Sequence, residues 1–405
     1  MSKKRLYLFN ETSIAMNYGI GTYIDHLISC LQNEDYIVTL VFLDAREKQV
    51  KLINEAGCKK LIIPLINTLN DSELSRYYRS VVFILKDMLS SNEHSIFHLN
   101  YMTNRYLAYW ITEILDTKPV LTVHYTDWSF SLLGNINLLK RLLKKKEEKY
   151  IHECIENDRI LLSYCSKIIC IARHSYNSLL EIHGEEFRKN VSLIPNALKD
   201  CYTKLTINKK NALREKYHIK SATKIIITAG RLEEVKGIGY ILKVLKKLIK
   251  QYQDIHLFIA GNGNFQKYLI ETKGIWTKVS FTGLINKHQL FELYSISDLG
   301  ILSSIHEEFG LIAIEMMMFA LPIVASDTSG LSEIFEDNIT ALKVPIVKKK
   351  GKYTLNTTVL YNKIELLINN PALAAIIGSN ARKIFLEKYE TKVYKKRMLE
   401  FYNSI

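Results

Sequence analysis

Two carboxylates in the stretch SIHEEFGLIAIEMMMFALPIVASDTSG, Glu307 and Glu315, flank a Phe-Gly step, and the second of them lies in an otherwise apolar run. Burying an unpaired carboxylate is costly, so Glu315 needs a partner. A carboxylate about a turn and a half into a helix can accept two hydrogen bonds from a vicinal diol such as ribose. The alternative is a half-exposed helix residue or one that caps a neighbour. A second constellation is IIITAGRLEEVKG, where Gly230 and Arg231 follow an apolar run and Lys236-Gly237 precede the helical pattern IGYILKVLKKLI. A helix start flanked by two cations suits phosphate, with an ordinary basic loop as the alternative. In ILSSIHEEFGLIAIE the apolar run ends near Ser303 and the following loop carries His306, Glu307 and Glu308. Gly310 there allows a ligand close to the first amides of the next helix. FIAGNGN adds a glycine turn after another apolar run; a lone G-x-G is weak, and Gly261 and Gly263 read as structural.

These residues need strands and helices to hold them. Short apolar runs of strand length (KRLYLFN, YIVTLVFLD, SIFHLN, KPVLTVHY, KIICIA, VSLIPN) alternate with amphipathic stretches in the first half. After Asn196 the polar segment ALKDCYTKLTINKKNALREKYHIKSATK reads as an interdomain connection. The rhythm restarts with KIIITAGRL, IHLFIAGNG, KVSFTGL, DLGILSS and LPIVASD. Two α/β halves, each a parallel sheet wrapped by helices, are expected, with ligands at the carboxyl ends of the strands.

Composition sets outer bounds. The 405 residues are 48% hydrophobic, enough for two or three domains with sizeable cores. Cys30, Cys58, Cys154, Cys165, Cys170 and Cys201 form no C-x-x-C pair, and MSKKRLYLFNETS turns polar too soon for a signal peptide, so a reducing cytoplasm is expected. No apolar run reaches the ~18 residues of a membrane span. The formal charge of +14 favours an anionic partner: nucleic acid, an anionic membrane or a phosphorylated small molecule.

Together these motifs resemble those of the family 4 retaining glycosyltransferases of the GT-B fold, which use nucleotide-sugar donors. Glu307 and Glu315 in EEFGLIAIE match the family's E-x7-E signature, GRLEEVKG its G-R-L-x-x-x-K-G, IPNA its P-N turn, and IAGNGN its strand-plus-glycine turn. NYGIGTY resembles its glycine-rich first loop, and LTVHYTDW supplies the histidine of its cleft, His124. The resemblance implies two Rossmann-like doubly wound domains facing a central cleft. Residues 1–199 would bind acceptor, residues 200–382 would bind donor, and a last helix within 383–405 would cross back to the first domain. Arg231 and Lys236 would neutralise the diphosphate leaving group, Glu315 would hold the ribose, and Glu307 and His124 would contact the sugar. Donor contacts would also come from Gly19, Gly21, Gly230, Gly261, Phe309, Gly310 and Leu311. No cofactor and no metal are expected, and the chain has no D-x-D sequence. It departs from the family in three places: Glu308 stands where glycine is usual, Tyr125 where aspartate follows the cleft histidine, and Ala197 after Pro-Asn.

A UDP-sugar is the expected donor, with GDP as alternative, and the acceptor is a saccharide, lipid-linked or peptide hydroxyl. Acceptor choice would lie in the loops Asn10 to Gly21, Asn100 to Arg105 and Tyr125 to Phe130. The rivals are a nucleotide-sugar epimerase of the same fold, a phosphorylase needing pyridoxal phosphate, and a basic nucleic-acid-binding protein. The scattered cations lack the interleaved aromatics that single-strand binding needs. Lys140, Arg141, Lys144, Lys145 and Lys146, beside leucine pairs, suit either peripheral contact with an anionic membrane or a solvated helix face.

Overall fold

A computed structural model describes residues 4–12, 19–32, 34–55, 58–66, 70–89, 95–349 and 352–405. The chain divides into two compact units, residues 1–197 with 391–405, and residues 198–390.

The first unit is built on the strands β1 (Lys4–Glu11), β2 (Tyr36–Asp44), β3 (Lys51–Glu55), β4 (Cys58–Pro64), β5 (Ser95–Leu99), β6 (Val120–Val123), β7 (Lys167–Cys170) and β8 (Val191–Leu193). Their order is β3-β4-β2-β1-β5-β6-β7-β8, all parallel except the β3–β4 pair. Side chains alternate across β1, so its two faces feed two cores. Tyr7 and Phe9 pack with Val81, Val82 and Leu107, while Leu6 and Leu8 pack with Ile24, Leu27, Tyr394 and Met398. The helix Thr391–Asn403 completes the second of these cores. His98 on β5 hydrogen-bonds Tyr402 Oη (2.6 Å), and Thr391 Oγ1 lies 2.9 Å from His26 Nε2.

The second unit carries β9 (Lys224–Ala229), β10 (Ile255–Ala260), β11 (Val279–Gly283), β12 (Leu299–Leu302), β13 (Ile323–Asp327), β14 (Leu342–Lys349) and β15 (Lys352–Leu355). They run in the order β11-β10-β9-β12-β13-β14-β15, with β14–β15 antiparallel. The central strands are buried on both faces, as parallel strands under helices must be. The helix Ile238–Gln251 buries Ile238, Ile241, Leu242, Leu245 and Leu248, the one-sided spacing of a helix packed on a sheet.

The polar segment after Asn196 does more than connect. It forms the helix Ile207–Lys216, whose Arg214 donates to Ser221 O (2.8 Å), Thr223 O (2.9 Å) and Asp298 Oδ2 (2.9 Å), fastening it to the second unit.

Candidate functional site

Sheet order reverses between β9 and β12, which places their carboxyl ends side by side where ligands of doubly wound sheets bind. A hollow of about 500 Å³, partly open to solvent, lies there and is lined by Gly230, Arg231, Lys236, Glu307, Gly310 and Leu311 among others. The sequence motifs therefore meet at one place.

Glycines make the meeting possible. Gly237 has φ +66°, and a Cβ on it would stand 2.1 Å from Ser303 O. That approach lets Ser303 Oγ donate to Lys236 O (2.8 Å) and Ile305 N–H to Val235 O (2.7 Å), tying the β9 loop to the β12 loop. At the next strand end Gly261 has φ +140°, and a Cβ there would be 1.9 Å from Gly230 O.

The β9 and β12 loops bring the charges together. Lys236 Nζ donates to Glu307 Oε2 at 2.6 Å, and Ser304 Oγ donates to the same oxygen at 3.3 Å. Arg231 Nη1 donates to Glu233 Oε1 at 2.7 Å. Gly310 precedes the helix Leu311–Met318, whose first amides have no acceptor within the helix, as at any helix start. The site thus offers two cations, a carboxylate and free amide hydrogens, the chemistry of an anion bearing a polyhydroxylated group.

Other expected residues lie nearby but act differently. Glu315 is 4% exposed and accepts a hydrogen bond from Tyr294 Oη at 3.1 Å, so the partner it needs is supplied within the fold. Burial pushes its carboxyl up to about 7, against the opposing pull of Lys287 and Tyr294. It does not line the hollow that holds Arg231 and Lys236. Phe309 is buried with its ring 6.1 Å from that of Tyr389, so its side chain packs. Glu308, where the family usually has glycine, lies with Oε1 3.1 Å from His306 Nε2, and His306 Nδ1 is 2.8 Å from Ser329 Oγ. The extra carboxylate is thereby engaged by a buried histidine.

In the first unit, Gly19 and Gly21 open the helix Gly19–Leu31. His124 follows β6, with Nε2 3.3 Å from Asn100 Oδ1 and its ring edge-on to Tyr23 at 4.6 Å. Burial, with a smaller effect from His98, pushes its pKa down to about 3, so the ring is neutral. Of the loop Asn10 to Gly21, residues 13–18 lie outside the described residues. Sequence reasoning missed Tyr294 as the partner of Glu315 and Glu11 at the end of β1; neither has a local pattern that would reveal it. Among the described residues no group of three or more His, Cys, Asp or Glu is arranged to hold a metal.

The fold, with its two doubly wound units, is GT-B. HepE of Anabaena, solved in complex with UDP, superposes with a TM-score of 0.75 over 99% of this chain and 100% of that chain at 14% identity. Sucrose-phosphate synthase from Thermosynechococcus elongatus gives 0.75 over 99% and 98% at 18% identity. Residues 209–384 match the family model for glycosyl transferases group 1, and the chain belongs to this family through that domain. Alpha-D-kanosaminyltransferase of Streptomyces kanamyceticus is 25% identical over 237 residues, 58% of each chain. The next three curated relatives are matched over 41% to 46% of their length, so the chain spans about half the length of the curated relatives it matches.

Proposed function

We propose that the chain is a retaining glycosyltransferase that needs no metal and moves a sugar from a nucleotide-diphosphate sugar, UDP-linked by preference, to an acceptor hydroxyl. The observation that carries this reading is the pairing of Lys236 with Glu307 in a hollow that also holds Arg231 and the start of the helix Leu311–Met318. Arg231 and Lys236 bind the diphosphate, and their charge counts most as the glycosidic bond to phosphate breaks. Glu307 takes sugar hydroxyls once Lys236 turns to phosphate, and Glu315, already oriented by Tyr294, takes the ribose. His124 is assigned to the sugar by the family resemblance alone. The acceptor attacks from the face the diphosphate leaves, and a phosphate oxygen takes its proton, so no protein nucleophile is required. HepE in complex with UDP and with UDP-glucose supports a UDP donor for a chain of this fold.

Acceptors remain open between saccharide, lipid-linked and peptide hydroxyls. Peripheral contact with an anionic membrane would be electrostatic in the main. Lys140, Arg141, Lys144, Lys145 and Lys146 are exposed, whereas Leu139, Leu142 and Leu143 pack inward with Trp128 and Ile151.

A panel of UDP- and GDP-sugars, read by nucleotide release and thermal shift with and without EDTA, tests the reading. One nucleotide sugar that both stabilises the chain and is turned over in EDTA is the expected result. Interconversion of the nucleotide sugar with no acceptor would indicate the epimerase, and activity abolished by EDTA and restored by a divalent metal would overturn the metal-free mechanism.

A further inference from the structure

The first sheet has its own reversal of strand order, between β1 and β5, and an unused carboxyl stands there. Glu11 is the last residue of β1. Its backbone N–H donates to Asn10 Oδ1 (2.9 Å), which also accepts from Tyr101 Oη (2.7 Å), while Asn100 Nδ2 donates to Phe9 O (2.9 Å). The Glu11 carboxyl is hydrogen-bonded by the side chains of Asn104 and Thr103, and Tyr77, Tyr78 and Tyr125 lie close enough to feel its charge. No cation of the described residues pairs with it. Arg105, whose charge reaches Tyr78, is bound instead to Asp71 at 2.8 Å. Asn104 is 1% exposed, and its Oδ1 is buried with no hydrogen-bond partner.

A buried carboxyl without a cation, beside an amide oxygen without a donor, is a costly arrangement inside a fold. Both groups ask for the same thing, a hydrogen-bond donor from outside. Neutral groups surround them, including the uncharged His124, so nothing nearby offsets a second negative charge.

We propose that this cluster is an acceptor subsite and that Glu11 is its specificity-determining residue, taking a saccharide through hydroxyl or amino groups and rejecting one that presents phosphate or carboxylate there. The inference rests on the glycosyltransferase reading above. An ammonium group on the acceptor ion-pairs with the carboxylate, a hydroxyl donates to it, and a phosphate is repelled by it. Burial raises the Glu11 carboxyl to about 7, the direction expected of a group whose natural counter-charge arrives with the ligand.

The test is binding of glucosamine, methyl α-glucoside and glucose 6-phosphate to the full chain in the presence of saturating UDP, followed by saturation-transfer NMR. Glucosamine is expected to bind at least tenfold more tightly than glucose 6-phosphate. Glu11→Gln should erase that preference while the affinity for UDP is unchanged. Should Glu11→Gln fail to fold, Glu11→Asp keeps the charge and must keep the order of the three sugars. Equal or tighter binding of glucose 6-phosphate, an order unaltered in Glu11→Gln, or no binding of any of the three overturns the proposal. Failure of the underlying reading is separate: UDP itself would not bind and no nucleotide sugar would be turned over.

Discussion

At the scale of single residues, the Lys236–Glu307 pair is the most informative contact. A charge-assisted hydrogen bond in a partly desolvated site is worth about 1.5–3 kcal/mol, and its worth grows as charge develops on the leaving phosphate. Lys236→Ala should therefore lower kcat/KM by roughly a hundredfold or more at ~1.4 kcal/mol per tenfold, with thermal stability little changed, in steady-state assays with the selected donor. Glu307→Gln releases Lys236 from its carboxylate, so nucleotide affinity should hold or rise while kcat falls. Glu315 makes a different prediction. Its carboxyl is raised to about 7 from an ordinary 4.5, so between those values the folded chain holds a proton that the unfolded chain has lost. Stability from this group is full below pH 4.5 and declines as pH rises toward 7, by at most roughly 3 kcal/mol. Glu315→Gln should raise the Tm of the nucleotide-free protein more at pH 8 than at pH 5, and should weaken binding of free nucleoside diphosphate. An unchanged nucleotide affinity removes the ribose assignment. The carboxylates and cations were legible in the sequence because they follow strand ends at fixed spacing. Tyr294, Asn104 and the buried state of Glu11 were not, since each acts through a neighbour distant along the chain.

Among the elements, the glycine turns at neighbouring strand ends set how closely the loops may stack. Both Gly230 (φ +137°) and Gly261 (φ +140°) hold backbone conformations that side chains rarely adopt, but a Cβ at Gly230 meets nothing within 4 Å, whereas one at Gly261 collides with Gly230 O. Gly261→Ala should then destabilise the second unit by roughly 1–3 kcal/mol more than Gly230→Ala, the added cost of overpacking, as read by denaturant unfolding. The parallel strands were readable because strands buried on both faces appear as continuous apolar runs. The β3–β4 hairpin escaped notice because KLINE lies at a sheet edge with its first four residues exposed and carries no such run. The helix Ile207–Lys216 has no apolar side at all; Arg214 is its buried residue, and hydrogen bonds rather than hydrophobic spacing hold it.

For the molecule as a whole, the two units differ in how their chain is supplied. The second is one unbroken segment, residues 198–390, while the first is assembled from residues 1–197 and 391–405. Tyr394, Met398, Phe401 and Tyr402 are buried in the core of the first unit, and Tyr402 holds His98. Removing residues 391–405 should therefore lower the stability of the first unit and leave that of the second intact, seen as protease cleavage confined to residues 1–197. The same division carries a consequence for the order of events on the ribosome. Synthesis runs from the N-terminus at about 5–20 residues per second, so the second unit emerges whole while the first still lacks the helix Thr391–Asn403. The part of the chain made first is the part that finishes folding last, and for the time it takes to translate residues 198–390 its half-covered sheet is a client for chaperones.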